Sequence, residues 1–186
     1  ALRLAVKPLP VLALALLVGK GPRDSYTRLI ASGLAFSALG DLLLELEGQF
    51  LAGLLAFLVA HLLYGSAFVL DVRDPAWPRV VPFAIWGALA WAALRPGLGT
   101  MAGPVLFYLL AILAMMWRAW ARVGRSRRGR DSAWWAAVGA LLFGLSDTLI
   151  ALDRFRGEIP LVRWPIILLY WAGQWGLARS ARPFRL

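Results

Sequence analysis

The feature that most constrains this chain is the length of its apolar runs. A helix needs about 20 mostly apolar residues to cross the hydrocarbon layer of a bilayer. Seven stretches have that character: Leu2–Val18, Tyr26–Leu46, Phe50–Leu70, Val80–Leu94, Thr100–Trp120, Ser132–Leu152 and Pro160–Ser180. The runs are continuous and do not alternate, which argues against a transmembrane β-barrel. Turn chemistry separates several of them, at Gly19-Lys20-Gly21-Pro22, Asp74-Pro75, Pro78 and Arg95-Pro96-Gly97. These short connections leave no room for a second domain in 186 residues. Residues 1–186 therefore read as one all-α, polytopic transmembrane helical bundle with about seven spans. Lys7 and Pro8 interrupt the first stretch and no small-residue cleavage site follows, so it does not read as a signal peptide.

Composition then removes whole classes of chemistry. AVILMFWYC residues make up 61% of the chain and charged residues only 16%, whereas an average soluble domain is roughly 45–50% apolar with glycine included. The absence of cysteine excludes disulfide scaffolds, Fe–S clusters, Cys-zinc sites and thiol nucleophiles. The single histidine excludes multi-His metal cages, and nothing calls for a metal or other cofactor.

The net charge of +10 is first a statement about topology. Lys20, Arg23, Arg28, Arg73, Arg79, the six arginines from Arg118 to Arg130, and Arg179, Arg182 and Arg185 fall on one side, 14 in all. Arg3, Lys7, Arg95, Arg154, Arg156 and Arg163 fall on the other, 6 in all. The positive-inside bias then predicts a cytoplasmic C-terminus and Arg118–Arg130 loop. Because insertion alone requires such a bias, no nucleic-acid partner is inferred; anionic membrane lipid is the natural contact. Trp77, Trp117, Trp120, Trp134 and Trp135 near one end, with Trp91 and Trp164 near the other, occupy aromatic-belt positions.

An ionisable group inside a span is costly and is a functional candidate by default. Lys7, Asp41, His61 and Asp147 are the clear cases, with Glu45 and Asp153 nearer the edges. At 1.5 Å per residue, Lys7, Asp41 and Asp147 all come about 8–9 Å below the outer face, so they can share a pocket. The plain alternatives are that the two aspartates bond neighbouring helices and that Lys7 snorkels to the interface. The same count puts His61 roughly 20 Å down, too deep for that group. It is expected instead in an interhelical hydrogen-bond set with Tyr170 and Gln174. Glu45, one turn after Asp41, either lines the pocket entrance or marks the interface, and the second is favoured. Ser146 adjoins Asp147 without a histidine at matching depth, which argues against a Ser-His nucleophile. The segments around Asp41 and Asp147 share L-x-D-x-L-x-x-L on helices running the same way, a pattern a parallel repeat would produce.

Several elements together resemble a known family. They are Lys7-Pro8-Leu9; Phe36-Ser37-Ala38-Leu39-Gly40-Asp41 followed by Phe50, Gly53 and Phe57; Ala60-His61-Leu62-Leu63-Tyr64; Pro104 and Tyr108; Gly139 through Asp147 with Leu149, Ala151 and Phe155; and Tyr170-Trp171 with Gln174. Their order is similar to that of the YhhN family of membrane proteins, whose animal members are lysoplasmalogenases, over nearly the whole chain. Family members usually have eight spans, so the resemblance implies a span missing or trimmed before the Lys-Pro helix. It further implies a bacterial inner-membrane protein that hydrolyses the vinyl ether of an alkenyl lysophospholipid, giving a fatty aldehyde and a glycerophospho-alcohol. Asp41 and Asp147 are then the acid and base, in either order. Lys7, His61, Tyr108, Ser146, Tyr170 and Gln174 are the residues expected around the substrate. Buried carboxylates and a parallel repeat suit a small transporter or proton-coupled permease as well, and a receptor or scaffold with a structural polar core is a third reading.

Overall fold

The computed structural model of the chain describes residues 7–181. Arg3, Arg182, Arg185 and the beginning of the first expected span lie outside them. The described residues form seven α-helices and no strand: α1 Pro8–Gly19, α2 Ser25–Leu44, α3 Phe50–Asp71, α4 Val81–Leu98, α5 Ala102–Ala121, α6 Arg130–Arg156 and α7 Arg163–Ser180. Single 3₁₀ turns, Trp77–Val80 and Gly99–Met101, lead into α4 and α5. Segments Ser25–Leu44, Phe50–Asp71, Trp77–Gly97, Gly99–Ala121 and Arg130–Arg156 are long and apolar enough to cross a membrane. Pro8–Gly19 is apolar but shorter, and α7, which carries Arg163, Gln174 and Arg179, does not meet the same measure.

Local chemistry sets the boundaries. Pro8 occupies the first turn of α1, where its missing N–H costs nothing. Asp24 caps α2 by accepting the Thr27 N–H at 2.9 Å. Helix α6 stops at Gly157, whose φ of +129° is a conformation an L side chain resists. One expected boundary is wrong: α4 runs through Arg95-Pro96-Gly97 to Leu98. Pro96 sits in the last turn, where few helical bonds remain to be lost. A Cβ on Gly97 would overlap the Phe155 carbonyl, so this glycine lets the end of α4 press against the backbone of α6.

Neighbouring contacts run α1–α2, α2–α3, α3–α5, α5–α6, α6–α7 and α7–α1, closing a six-helix ring. Helix α4 packs outside it, on α5 and α6. The α6–α7 seam is tight because it is glycine-lined: a Cβ on Gly139 would lie 2.8 Å from the Gly173 carbonyl oxygen, and one on Gly176 would lie 2.9 Å from the Gly139 Cα. Close backbone approach through small residues is how apolar helices gain packing when lipid is as apolar as they are.

The arginine-rich end holds more than a charge bias. Arg122 is fully buried and its Nε donates to Asp71 Oδ2 at 2.7 Å, joining α5 to the end of α3. Its Nη2 donates to the Ser132 hydroxyl at 2.8 Å and the Ser126 hydroxyl at 3.3 Å. Ser126 in turn donates to Asp71 at 2.6 Å, and the Arg127 N–H does so at 3.1 Å. Arg128 pairs with Asp24 at 3.1 Å and lies 4.5 Å from the centre of the Tyr26 ring. The α5–α6 loop is therefore a clasp joining α2, α3, α6 and the end of α7, a role that counting charges by side does not reveal.

Candidate active site

Each helix of the ring sends one polar side chain into its interior near the opposite end. Lys7 precedes the first turn of α1, and its Nζ lies 3.0 Å from Asp41 Oδ1. Asp41, on α2, is wholly buried, and its Oδ2 accepts from the Tyr170 hydroxyl of α7 at 2.5 Å. Asp147, on α6, accepts from the Tyr108 hydroxyl of α5 through Oδ2. His61, on α3, places Nε2 3.9 Å from that same oxygen. Asp147 lies within electrostatic reach of both Lys7 and Asp41.

The two carboxylates are held in matching ways. Helices α1–α3 and α5–α7 form two triplets, each with its aspartate on the middle helix. Asp41 is bonded from the helix before it, by Lys7, and from the third helix of the other triplet, by Tyr170. Asp147 is bonded from the helix before it, by Tyr108, and faced from the third helix of the other triplet, by His61. The two L-x-D-x-L-x-x-L segments thus stand at corresponding places in the ring.

Aromatic rings pack among the residues that hold the two acids. Phe143 lies 5.4 Å from Tyr170 and 4.8 Å from His61, and Phe57 lies 5.9 Å from Phe143, ring centre to ring centre. Two cavities open nearby. A narrow apolar one of about 50 Å³ has Asp147, Tyr108 and Phe57 in its wall, with Phe50, Arg154 and Phe155 also lining it. A wider, open one of about 790 Å³ is lined by Lys7, Glu45, Asp153, Arg163, Trp164 and Trp171. Leu44 and Ile150 line both, so they stand at the junction between them. Asp41 and Asp147 lie three residues before Leu44 and Ile150 on helices running the same way, one turn beneath that junction.

Several expectations need correcting. His61 is not below the group but beside Asp147, because α6 runs on to Arg156 and Asp153 is not where it ends. The set of His61, Tyr170 and Gln174 does not form: Gln174 accepts from Tyr64 at 2.9 Å, Tyr64 lies 3.3 Å from Ser37, and Tyr170 serves Asp41. Ser146 is fully buried and gives its hydroxyl to the Ile166 carbonyl at 2.9 Å, so it fastens α6 to α7. Lys7 does not snorkel: its side chain is 15% exposed and ends on Asp41. Glu45 lines the wide cavity beside Lys7. Tyr64, quoted above only as part of the Ala60–Tyr64 element and not among the residues expected around the substrate, is a buried member of this polar core, one turn from His61 on α3.

The fold and this centre define a class: an integral membrane protein built as a helical bundle, with two carboxylates held in its polar core. The chain matches the YhhN family over residues 2–181, and it belongs to that family. It is 37% identical to lysoplasmalogenase TMEM86B of Homo sapiens over 179 residues, covering 95% of this chain and 74% of that protein. It is 40% identical to lysoplasmalogenase TMEM86A of Bos taurus over 163 residues, 84% of this chain and 66% of that protein. To the lysoplasmalogenase of Mycobacterium bovis it is 33% identical over 144 residues, 72% of this chain and 52% of that protein. No solved structure matches the chain.

Proposed function

We propose that this protein is a membrane-embedded lysoplasmalogenase, hydrolysing the vinyl ether bond of alkenyl lysophospholipids. The relatives' activity supports the reaction, and the paired carboxylates supply groups suited to it. A vinyl ether resists water until its β-carbon is protonated. Protonation gives an oxocarbenium ion, water adds to the cationic carbon, and the resulting hemiacetal collapses to a fatty aldehyde and the glycerophospho-alcohol. Two-carboxylate glycosidases manage an oxocarbenium-like state with one acid and one anion.

Asp147 suits the acid role. It lines the narrow apolar cavity, and no lysine or arginine pairs with it among the described residues. Tyr108 donates to its Oδ2, leaving Oδ1 to carry the proton for the β-carbon. Asp41 suits the anionic role, because Lys7 supplies its countercharge. It stabilises the developing cation and takes the proton released as water adds; a proton returned to Asp147 completes the turnover. The observation that carries this reading is the matching placement of the two aspartates, each one turn before a residue that lines both cavities, Leu44 and Ile150.

The 14:6 charge count supports a cytoplasmic C-terminus, which puts the Lys7 end of the bundle at the opposite face. Purified protein given alkenyl-lysophosphatidylethanolamine is expected to release fatty aldehyde. Solute or proton flux in reconstituted vesicles without any aldehyde release would replace the hydrolase reading with a permease.

A further inference from the structure

One buried group beside the two acids has no task in the chemistry above. The side chain of His61, on α3, is fully enclosed, and its Nε2 has no hydrogen-bond partner among the described residues. Buried polar atoms are nearly always bonded, so an unbonded one calls for an explanation. Packing does not leave the ring loose. It meets Tyr108 edge-to-face with centres 5.1 Å apart, and Phe143 lies against it at 4.8 Å. Nε2 is thereby held 3.9 Å from Asp147 Oδ2. That separation is too long for a direct hydrogen bond, and it leaves room for one oxygen about 2.8 Å from each atom.

We propose that this gap holds the oxygen of the attacking water and that His61 is a third catalytic residue, acting through Nε2. The proposal rests on the lysoplasmalogenase reading and adds to it the place of the water and the route of its protons. Nε2 of a neutral imidazole accepts one hydrogen of the water. An oxygen lone pair is then free for the cationic carbon once Asp147 has protonated the β-carbon. As the oxygen–carbon bond forms, the other hydrogen passes to Asp41 as a proton. The hydrogen on Nε2 remains as that of the hemiacetal hydroxyl. On collapse the bond to the glycerol oxygen breaks, and that oxygen takes the proton held by Asp41. The hydroxyl proton moves to Nε2 as the C=O bond forms, and from Nε2 to the Asp147 carboxylate. The cycle ends as it began, with Asp147 protonated, Asp41 ionised and His61 neutral.

The test uses the whole protein in detergent, given alkenyl-lysophosphatidylethanolamine in heavy water. Aldehyde release is followed together with deuterium at the β-carbon of the lipid recovered before completion. In the parent, water captures each cation, so aldehyde forms and the recovered lipid stays unlabelled. His61→Phe keeps a ring in the packing but cannot hold the water. The cation then reverts by returning a proton from its β-carbon to Asp147, which leaves deuterium behind. This variant should lose at least about tenfold in kcat, the scale of one charge-assisted hydrogen bond, and its recovered lipid should be labelled. His61→Gln, whose amide reaches the place of Nε2, should recover most of the rate without label. His61→Asn, whose amide stops short of it, should behave as His61→Phe does, and this pair decides the matter if the phenylalanine variant does not fold. Parent-like rates in His61→Phe and His61→Asn, or a loss of rate without label that Gln does not relieve, would overturn the role of His61 alone. A parent that releases no aldehyde would defeat the hydrolase reading itself, and the role of His61 with it.

Discussion

The Lys7 ammonium lies 3.0 Å from Asp41, joining the start of α1 to the buried end of α2. A lone buried carboxylate is costly, and removing one partner of a buried pair costs about 3–5 kcal/mol. Lys7→Met is therefore expected to lower the thermal midpoint in detergent, and Asp41→Asn in the same chain to restore part of it. Independent, additive losses from the two changes would contradict the pairing.

Tyr108 holds Asp147 in orientation through one hydrogen bond. Tyr108→Phe keeps the ring against His61 and deletes only the hydroxyl. Losing one hydrogen bond of about 1 kcal/mol predicts a fall in kcat approaching tenfold with little change in KM. Steady-state kinetics in mixed micelles decide this; an unchanged kcat would remove Tyr108 from the catalytic arrangement.

Arg122 serves the opposite end and is expected to affect folding alone. Arg122→Leu strips Asp71 of its buried partner, which predicts a loss of about 3–5 kcal/mol. The protein that remains folded should hydrolyse at the parent's rate per molecule. A selective loss of kcat in well-folded protein would show coupling between the clasp and the acids.

Asp24 gives a pH test. Burial alone raises its pKa, but the Thr27 N–H and hydroxyl and the Arg128 guanidinium outweigh that and hold it below the ordinary 3.8. A depressed folded pKa means stability that is present above 3.8 and is lost as pH falls through the still lower folded value. Asp24→Ala should cost about 1 kcal/mol at neutral pH, as a lost N-cap does, and progressively less below pH 3.8. A penalty independent of pH would show that the charge contributes nothing.

Much of the fold was legible because spanning helices are read from apolar length, and all seven expected runs correspond to helices. Asp41 and Asp147 stood out because ionisable residues are rare in such runs. What misled was depth counted from assumed helix ends: α6 continues to Arg156, so His61, eleven residues into α3, meets Asp147, nine residues before the end of α6. Pairings were illegible for a different reason. Tyr170 meets Asp41 across 129 positions, and Arg122 meets Asp71 across 51; only the order of helices around the ring decides such contacts. Counted by side, Arg122 was one charge among fourteen, and its burial left no mark in composition.

The most direct test of the central claim is aldehyde release from alkenyl-lysophosphatidylethanolamine by the parent protein and by Asp41→Asn and Asp147→Asn, each first shown to be folded. The parent should release aldehyde and glycerophosphoethanolamine in equal amounts, and each variant should be slowed at least about 100-fold, the lower range for a lost acid or base. Parent-like rates in both variants would contradict the two-carboxylate mechanism.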